Sequence, residues 1–395
     1  MEEQRISWPA IVVIYLVTVL SMAAVGVVAA LTHDLTSAFG VSKKAIGLAL
    51  SLFSLPSALA AIFCGGVIDR FGPKRVILVG CALVALGDVI AAALQSLPGL
   101  TLGLLVSGVG YTGINVAAPA MFVSAASGGR RVRAMALWST NAPTGFAVGL
   151  LIAASFAGSS HWTIPLLIHG GLMALAGAGA AALAPASRST GALPLGEQLR
   201  GLARVFAEPG VLRLALTAAF PCALSYGTSL VAPAYLSEAH GVNMAASATG
   251  VAAVKGLAMA FCGLASGALL ARNPNIPRLF TGLALLGVTA QFAVFYPGPS
   301  FGLAIVGLTA WLVAYGGLTA TAMSLLPTVV RPSQTGAAAG LVSQLMSIFS
   351  ALAPTVYFGL QGWTSYVLLA AAGLTISVVA LPAWSRRAPA AASAA

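Results

Sequence analysis

About twelve times along this chain of 395 residues, some twenty mostly apolar residues follow one another before a short polar break. At 1.5 Å per helical residue, a run of about twenty crosses a hydrocarbon core about 30 Å thick. Inside lipid, every backbone N–H and C=O must find its partner within the protein, which leaves the α-helix as the solution for runs of this length. The chain is therefore read as an all-α membrane protein with 12 transmembrane helices. Composition agrees: 59% of residues are hydrophobic and 7% charged, and the mean hydropathy is +0.98.

The expected spans cover about 9–31, 45–66, 76–97, 100–122, 134–156, 162–184, 211–236, 246–270, 279–296, 301–324, 336–358 and 363–384. The net charge of +11 does not point to nucleic acid, because the basic residues sit in short breaks between spans. With both termini cytoplasmic, 16 of the 19 Lys and Arg fall on that side, Lys43 and Lys44 fall opposite, and Lys255 lies inside span 8. Such segregation sets orientation by the positive-inside rule. Glu2, Glu3 and Arg5 precede an apolar run too long for a signal-peptide core, so it is read as a retained first span. Pro98-Gly99 is expected to form a tight turn between spans 3 and 4. Residues 187–210 are expected to be a cytoplasmic linker with a surface amphipathic helix, since Leu195, Leu199, Leu202, Val205 and Phe206 recur at near-helical spacing. The domains are then 1–186, that linker, 211–387 and a disordered tail, 388–395. Cys64, Cys81, Cys222 and Cys262 lie in or beside spans, without metal-ligand spacing. No phosphate-cradling Gly-x-x-x-x-Gly-Lys-Ser/Thr occurs, which argues against an ATP-driven pump. No metal, no cofactor and no enzymatic activity are expected.

One charged island interrupts the pattern. Gly65-Gly66-Val67-Ile68-Asp69-Arg70-Phe71-Gly72-Pro73-Lys74-Arg75 holds four charges in eleven residues, between spans 2 and 3. Gly72 suits a tight turn, and Arg70, Lys74 and Arg75 hold the island on the cytoplasmic side. Its spacing, Gly-x-x-x-Asp-Arg-x-Gly-x-Lys-Arg, resembles the signature loop of the major facilitator superfamily, with Pro73 where a basic residue is common. The resemblance implies two pseudo-symmetric six-helix bundles, and a gating role for Gly65, Asp69, Arg70, Gly72, Lys74 and Arg75. It places Asp69 near the start of span 11 and near Arg130, Arg131 and Arg133 at the end of span 4. A carboxylate at a helix N-terminus gains about 0.3–1 kcal/mol, so Asp69 would latch the halves together on the cytoplasmic side. A degenerate second copy, Gly267-Ala268-Leu269-Leu270-Ala271-Arg272, follows span 8 at an offset of 202 residues, as two parallel halves require.

Polar groups inside spans are the candidate site. A charge at bilayer depth costs a few kcal/mol, so it normally faces a cavity or a partner. Lys255 lies deep in span 8, which in the family faces span 5 across the interface between halves. It is either an anion-binding cation, a group that gives up its proton, or a structural lysine on backbone carbonyls. Asp88 in span 3 is a coupling candidate or a packing acid, and is not expected to touch Lys255. In span 4, Tyr111 and Asn115 sit at i, i+4 on one face. The stretch Asn115-Val116-Ala117-Ala118-Pro119 is similar over about a dozen residues to the cyanate-permease branch of the superfamily. Asn141 lies in span 5, where Pro143-Thr144-Gly145 with Gly149 partly resembles the antiporter motif, Ala142 standing where that motif has Gly. The other reading is a kinked span packed through small residues. Tyr15, Tyr226 and Tyr315 fall on the family's cavity-lining helices. His169 is read as an interior histidine with its hydrogen bonds met.

The function these residues imply is secondary transport of a small, anionic or amphiphilic solute by alternating access, with protons as the candidate coupling ion. The expected setting is a monomer in a bacterial inner membrane. A polyspecific proton-antiporting exporter is the alternative within the class, against which stands the absence of an Arg in span 4. A non-transporting receptor or scaffold is the alternative outside it.

Overall fold

A computed structural model of the chain describes residues 6–138, 140–186, 208–255, 275–298, 300–329 and 335–382. In chain order the helices are α1 (Trp8–Ala30), α2 (Thr32–Phe39), α3 (Lys43–Phe71), α4 (Pro73–Leu94), α5 (Leu97–Ala125), α6 (Gly128–Trp138), α7 (Asn141–Ala154) and α8 (Thr163–Leu183). Then come α9 (Pro209–His240) and α10, over residues 244–255. They are followed by α11 (Ile276–Phe295), α12 (Phe301–Ser324), α13 (Leu326–Val329), α14 (Thr335–Gly359) and α15 (Trp363–Ala380). Among the described residues there is no strand. Among the described residues, nine helices are long and apolar enough to cross a bilayer, or ten if α2 and the start of α3, bent by 115°, form one span. The linker and tail, and the second copy of the signature, lie outside the described residues apart from Glu208, Pro209 and Gly210.

The helix starts follow from short polar caps and prolines. Ser7, Ser42 and Ser96 accept hydrogen bonds from Ala10, Ala45 and Gly99 at the starts of α1, α3 and α5. Asn275 does the same for Arg278 in α11. These side chains meet backbone donors that a first turn leaves open. Pro9, Pro73, Pro98, Pro209 and Pro277 stand in first turns, where a missing N–H costs nothing.

Three sequence expectations need correction. The charged island is not a loop: α3 runs on to Phe71 and α4 starts at Pro73, leaving Gly72 alone as the turn, at φ 81 and ψ 148. That positive φ needs glycine. Residues 127–133, expected in the basic break between spans 4 and 5, are helical from Gly128 onward. Pro98-Gly99 lies inside the first turn of α5, and the reversal falls on left-handed Gln95, at φ 40. In the first two cases the helix extends past the apolar run into polar residues, which headgroups and water accommodate.

Packing shows the repeat directly. α1 contacts α5, α7 and α8, and α4 contacts α5 and α8; in the second half α9 contacts α12, α14 and α15, and α11 contacts α12 and α15. The ends match too. Lys74 Nζ donates to Ala184 O at the end of α8. Arg213 Nε donates to Ala380 O, near the end of α15. Basic side chains thus serve carbonyls left open by a last turn.

In the first half, α1 and α7 approach each other closely. A Cβ on Gly26 would lie 2.3 Å from Phe146 O and 3.0 Å from Gly149 Cα, and one on Gly149 would lie 2.0 Å from Ala23 O. With no hydrophobic drive between helices in lipid, such close van der Waals packing is what holds them. Gly145 likewise sits against Val19 O. Gly145 and Gly149, the glycines of the partial antiporter motif, thus make close helix–helix contacts.

Among the described residues, α3 and α14 make an extensive contact between the halves. Ser51 and Thr355 share a hydroxyl hydrogen bond of 2.8 Å, and Thr355 N donates to Ser51 Oγ at 3.2 Å. Gln344 Nε2 donates to the carbonyls of Ser57 and Ala58. Lys43 pairs with Glu238 at the start of α3 and the end of α9. Both partners are exposed, so the pair contributes about 0.2–1 kcal/mol. Among the described residues, the hydrogen bonds between halves run from the midpoint of α3 toward the Lys43 end.

Candidate functional site between the halves

Lys255 is the last described residue of α10, about 16 Å along the helix axis from residue 244. That is near mid-depth in a core about 30 Å thick. Its side chain is buried, with 7% of the residue exposed. Nζ sits 3.9 Å from the centroid of the Phe146 ring on α7, in the other half. Among the described residues, no carboxylate pairs with it. A desolvated cation–π contact is worth about 2 kcal/mol, whereas a lysine at the centre of a bilayer costs about 2.5–3.5 kcal/mol or more. The ring alone does not offset the burial of the ammonium.

A polar cluster surrounds the break in span 5. α6 ends at Trp138 and α7 begins at Asn141, with Pro143 removing a backbone donor in its first turn. Tyr15 OH from α1 lies 2.9 Å from Thr140 Oγ1 and donates to Thr144 Oγ1 at 3.4 Å. Asn141 Nδ2 donates to Asn115 Oδ1 on α5 at 3.3 Å.

A second cluster crosses the interface. Tyr226 OH on α9 lies 3.4 Å from Ser54 Oγ on α3. The Tyr111 ring on α5 lies 5.1 Å from that of Phe53, also on α3. Tyr315 OH on α12 reaches Cys222 Sγ at 3.9 Å, and that sulfur lies 3.4 Å from Ser350 Oγ on α14. Cys222 and Tyr226 sit at i, i+4 on α9, so Tyr315 and Tyr226 approach the same face. Tyr111 and Asn115, one turn apart on α5, connect the two clusters. Tyr226 and Lys255 thus make contacts across the meeting of the halves, Tyr15, Tyr111, Asn115 and Asn141 make theirs within the first half, and Tyr315 within the second.

Asp88 stands apart from them. Its Oδ2 lies 2.7 Å from His169 Nδ1, inside the first half. Of the motif residues, Arg70 Cζ lies over the ring of its neighbour Phe71 at 5.3 Å. Arg75 and Arg133 are exposed. Arg130 Nη1 donates to Ile6 O at 2.9 Å, clamping the segment before α1 to the start of α6. The side chains of Asp69 and Arg131 and the surroundings of Gly65 lie outside the described residues.

Sequence reasoning missed Phe146 and the partner of Asp88. Phe146 carries no polar atom and reads as one more apolar residue; the only signal was that span 5 faces span 8. His169 and Asp88 are 81 residues apart, and no spacing rule places them opposite each other. Among the described residues, no group of three or more His, Cys, Asp or Glu comes together to hold a metal ion. The site offers one ammonium, aromatic faces, amide groups and hydroxyls: the means to bind a solute with an anionic group and an apolar body.

Comparison with known proteins places this arrangement. Over 113 residues, 29% of this chain, the sequence is 33% identical to the inner membrane transport protein YajR of Escherichia coli (strain K12). That match spans 24% of YajR's own length. The fold is shared with solved transporters. A POT family transporter in complex with 5-aminolevulinic acid superposes with TM-score 0.77 at 13% identity, over 95% of this chain and 96% of that one. A point mutant of the nucleoside transporter NupG gives 0.76 at 14% identity, over 95% and 100%. A bacterial homologue of the human lysosomal transporter Spinster, inward-facing and unoccupied, gives 0.74 at 18% identity, over 95% and 94%. The model of the Major Facilitator Superfamily matches residues 13–354, and with the helices packed as two repeated halves, the chain belongs to that family of membrane transporters.

Proposed function

We propose that the chain is a secondary active transporter of a small anionic or amphiphilic solute, bound at mid-depth between the halves and moved by alternating access. Membership of a transporter family supports the class. The observation that carries the substrate chemistry is Lys255: a buried ammonium facing Phe146 across the interface, with no carboxylate partner among the described residues. An anionic solute supplies the missing charge, and its apolar part meets the ring. Bound there, it touches both halves and so responds to their rocking.

The 16-to-2 distribution of basic residues puts both termini in the cytoplasm. On that assignment the Lys43 end faces outward, and the contacts between α3 and α14 close the exterior. Asp69 serves as the cytoplasmic latch when the exterior opens. Asp69→Asn is expected to insert and melt like the wild type while slowing transport. A well-expressed Asp69→Asn protein that transports at the wild-type rate sinks the latch.

The test of the whole reading is uptake of labelled small organic and inorganic anions into proteoliposomes, with and without a pH gradient. A prior thermal-shift screen of the same anions would select the set. Stabilisation and saturable uptake of at least one anion are expected. Uptake confined to neutral or cationic solutes would overturn the substrate class.

A further inference from the structure

Asp88 on α4 and His169 on α8 are both buried, 4% and 0% exposed. Asp88 Oδ2 and His169 Nδ1 are 2.7 Å apart, and His169 Nε2 lies 2.7 Å from Leu20 O on α1. A carbonyl oxygen only accepts, so Nε2 carries a hydrogen. Nδ1 then faces a carboxylate oxygen, and this contact also needs a hydrogen, on the nitrogen or on the oxygen. Either placement gives the pair the same proton count and zero net charge. Remove that proton, and the neutral imidazole has one hydrogen for two acceptors 2.7 Å away, so lone pairs face each other on one side of the ring beside an unanswered negative charge.

Among the described residues, the surroundings do not answer it. α4 and α8 pack against α1, α3, α5 and α7 and against each other. α1 and α5 bring only Tyr15 and Tyr111 as titratable groups; α7 and the rest of α8 bring none. α4 adds Cys81, Lys74 and Arg75, and α3 adds Lys43, Lys44, Cys64, Asp69 and Arg70. Lys74 lies about 21 Å along α4 from Asp88 and donates to Ala184 O. Against Asp88 itself lies Gly170.

We propose that Asp88 and His169 form a binding site for one exchangeable proton, and that its occupancy sets the position of α1. This rests on the transport reading above and gives it a coupling ion. The link runs through the backbone. The bond from His169 holds α1 at Leu20, and about 7.5 Å along the same helix Tyr15 reaches Thr140 and Thr144 at the break in span 5. With the proton bound, α1 is tied to α4 and α8. With it gone, the one imidazole hydrogen left goes to the carboxylate, the stronger acceptor, Nε2 no longer donates to Leu20 O, and α1 loses its anchor beside the solute cluster. A merely structural pair would keep its proton for as long as the protein stays folded.

The experiment is pH-titrated infrared difference spectroscopy on the full chain in lipid vesicles, reading carboxyl and imidazole bands with labelled histidine. In the wild type, one carboxyl change and one imidazole change are expected to share a midpoint within the folded range. Both should vanish in Asp88→Asn, which keeps the shape and a hydrogen bond, and the pH dependence of anion uptake should flatten. Separate midpoints, or no titrating carboxyl in the folded wild type, overturn the proposal even if the variant fails to fold. Vesicles that transport an anion while the pair does not titrate defeat the proton site alone. A titrating pair in vesicles that move no anion establishes the proton site and defeats the transport reading.

Discussion

Lys255→Ala is expected to abolish binding of an anionic solute while leaving the protein folded. Removing one partner of a buried charge pair costs about 2–5 kcal/mol, which is about thirtyfold or more in Kd. Lys255→Arg should keep part of the affinity, because the charge persists while its shape and reach change. Lys255→Met keeps the apolar stem over Phe146 and loses the charge. It should bind no better than the alanine variant. The unliganded Met protein is also expected to melt at a higher temperature than the wild type, since an apolar side chain replaces a desolvated ammonium. Opposite signs for stability and binding separate a solute-binding lysine from a packing lysine, whose loss would lower stability and leave binding alone. Thermal melts and binding of the screened anion to the three variants decide it. A Met variant that transports at the wild-type rate with unchanged pH dependence would show Lys255 to be a packing element.

What the sequence revealed of this protein divides by range. Spans were legible because lipid imposes a length and a polarity on each run independently of the others, and the expected span over 301–324 coincides with α12. Ends were less so: Phe71 and Gly128 are helical although their stretches read as loops, because an α-helix does not stop where hydrophobicity stops. Lys255 stood out because a charge inside an apolar run breaks a strong rule. Tyr15, Tyr111, Asn115, Asn141, Tyr226 and Tyr315 stood out as polar residues on helices that the family resemblance turns inward. Their pairings were not legible. Tyr15 with Thr140, Tyr226 with Ser54 and Asp88 with His169 each depend on the rotation of two helices about their own axes. That rotation is set by packing of small residues across interfaces distant in sequence. Gly26 and Gly149 show this best, since neither means anything until the other lies against it.

That contact carries the last expected result. Gly26→Ala and Gly149→Ala should each destabilise the protein by about 1–3 kcal/mol, the usual cost of overpacking, and should weaken anion binding as well. The added methyl on Gly26 would lie 2.3 Å from the backbone oxygen of Phe146. Backbone cannot swing aside as a flexible side chain does, so α1 and α7 must separate or rotate. Either movement carries the ring that supports Lys255 Nζ. Gly171→Ala and Gly282→Ala are the controls, because nothing lies within 4 Å of a Cβ at either position. Relieving a helical glycine of its backbone freedom there should raise stability by up to about 1 kcal/mol and leave binding untouched. Melting temperatures and anion affinities of the four variants are the measurement. If Gly149→Ala melts and binds like Gly171→Ala, the α1–α7 contact does not position Phe146, and the site must be held by other helices.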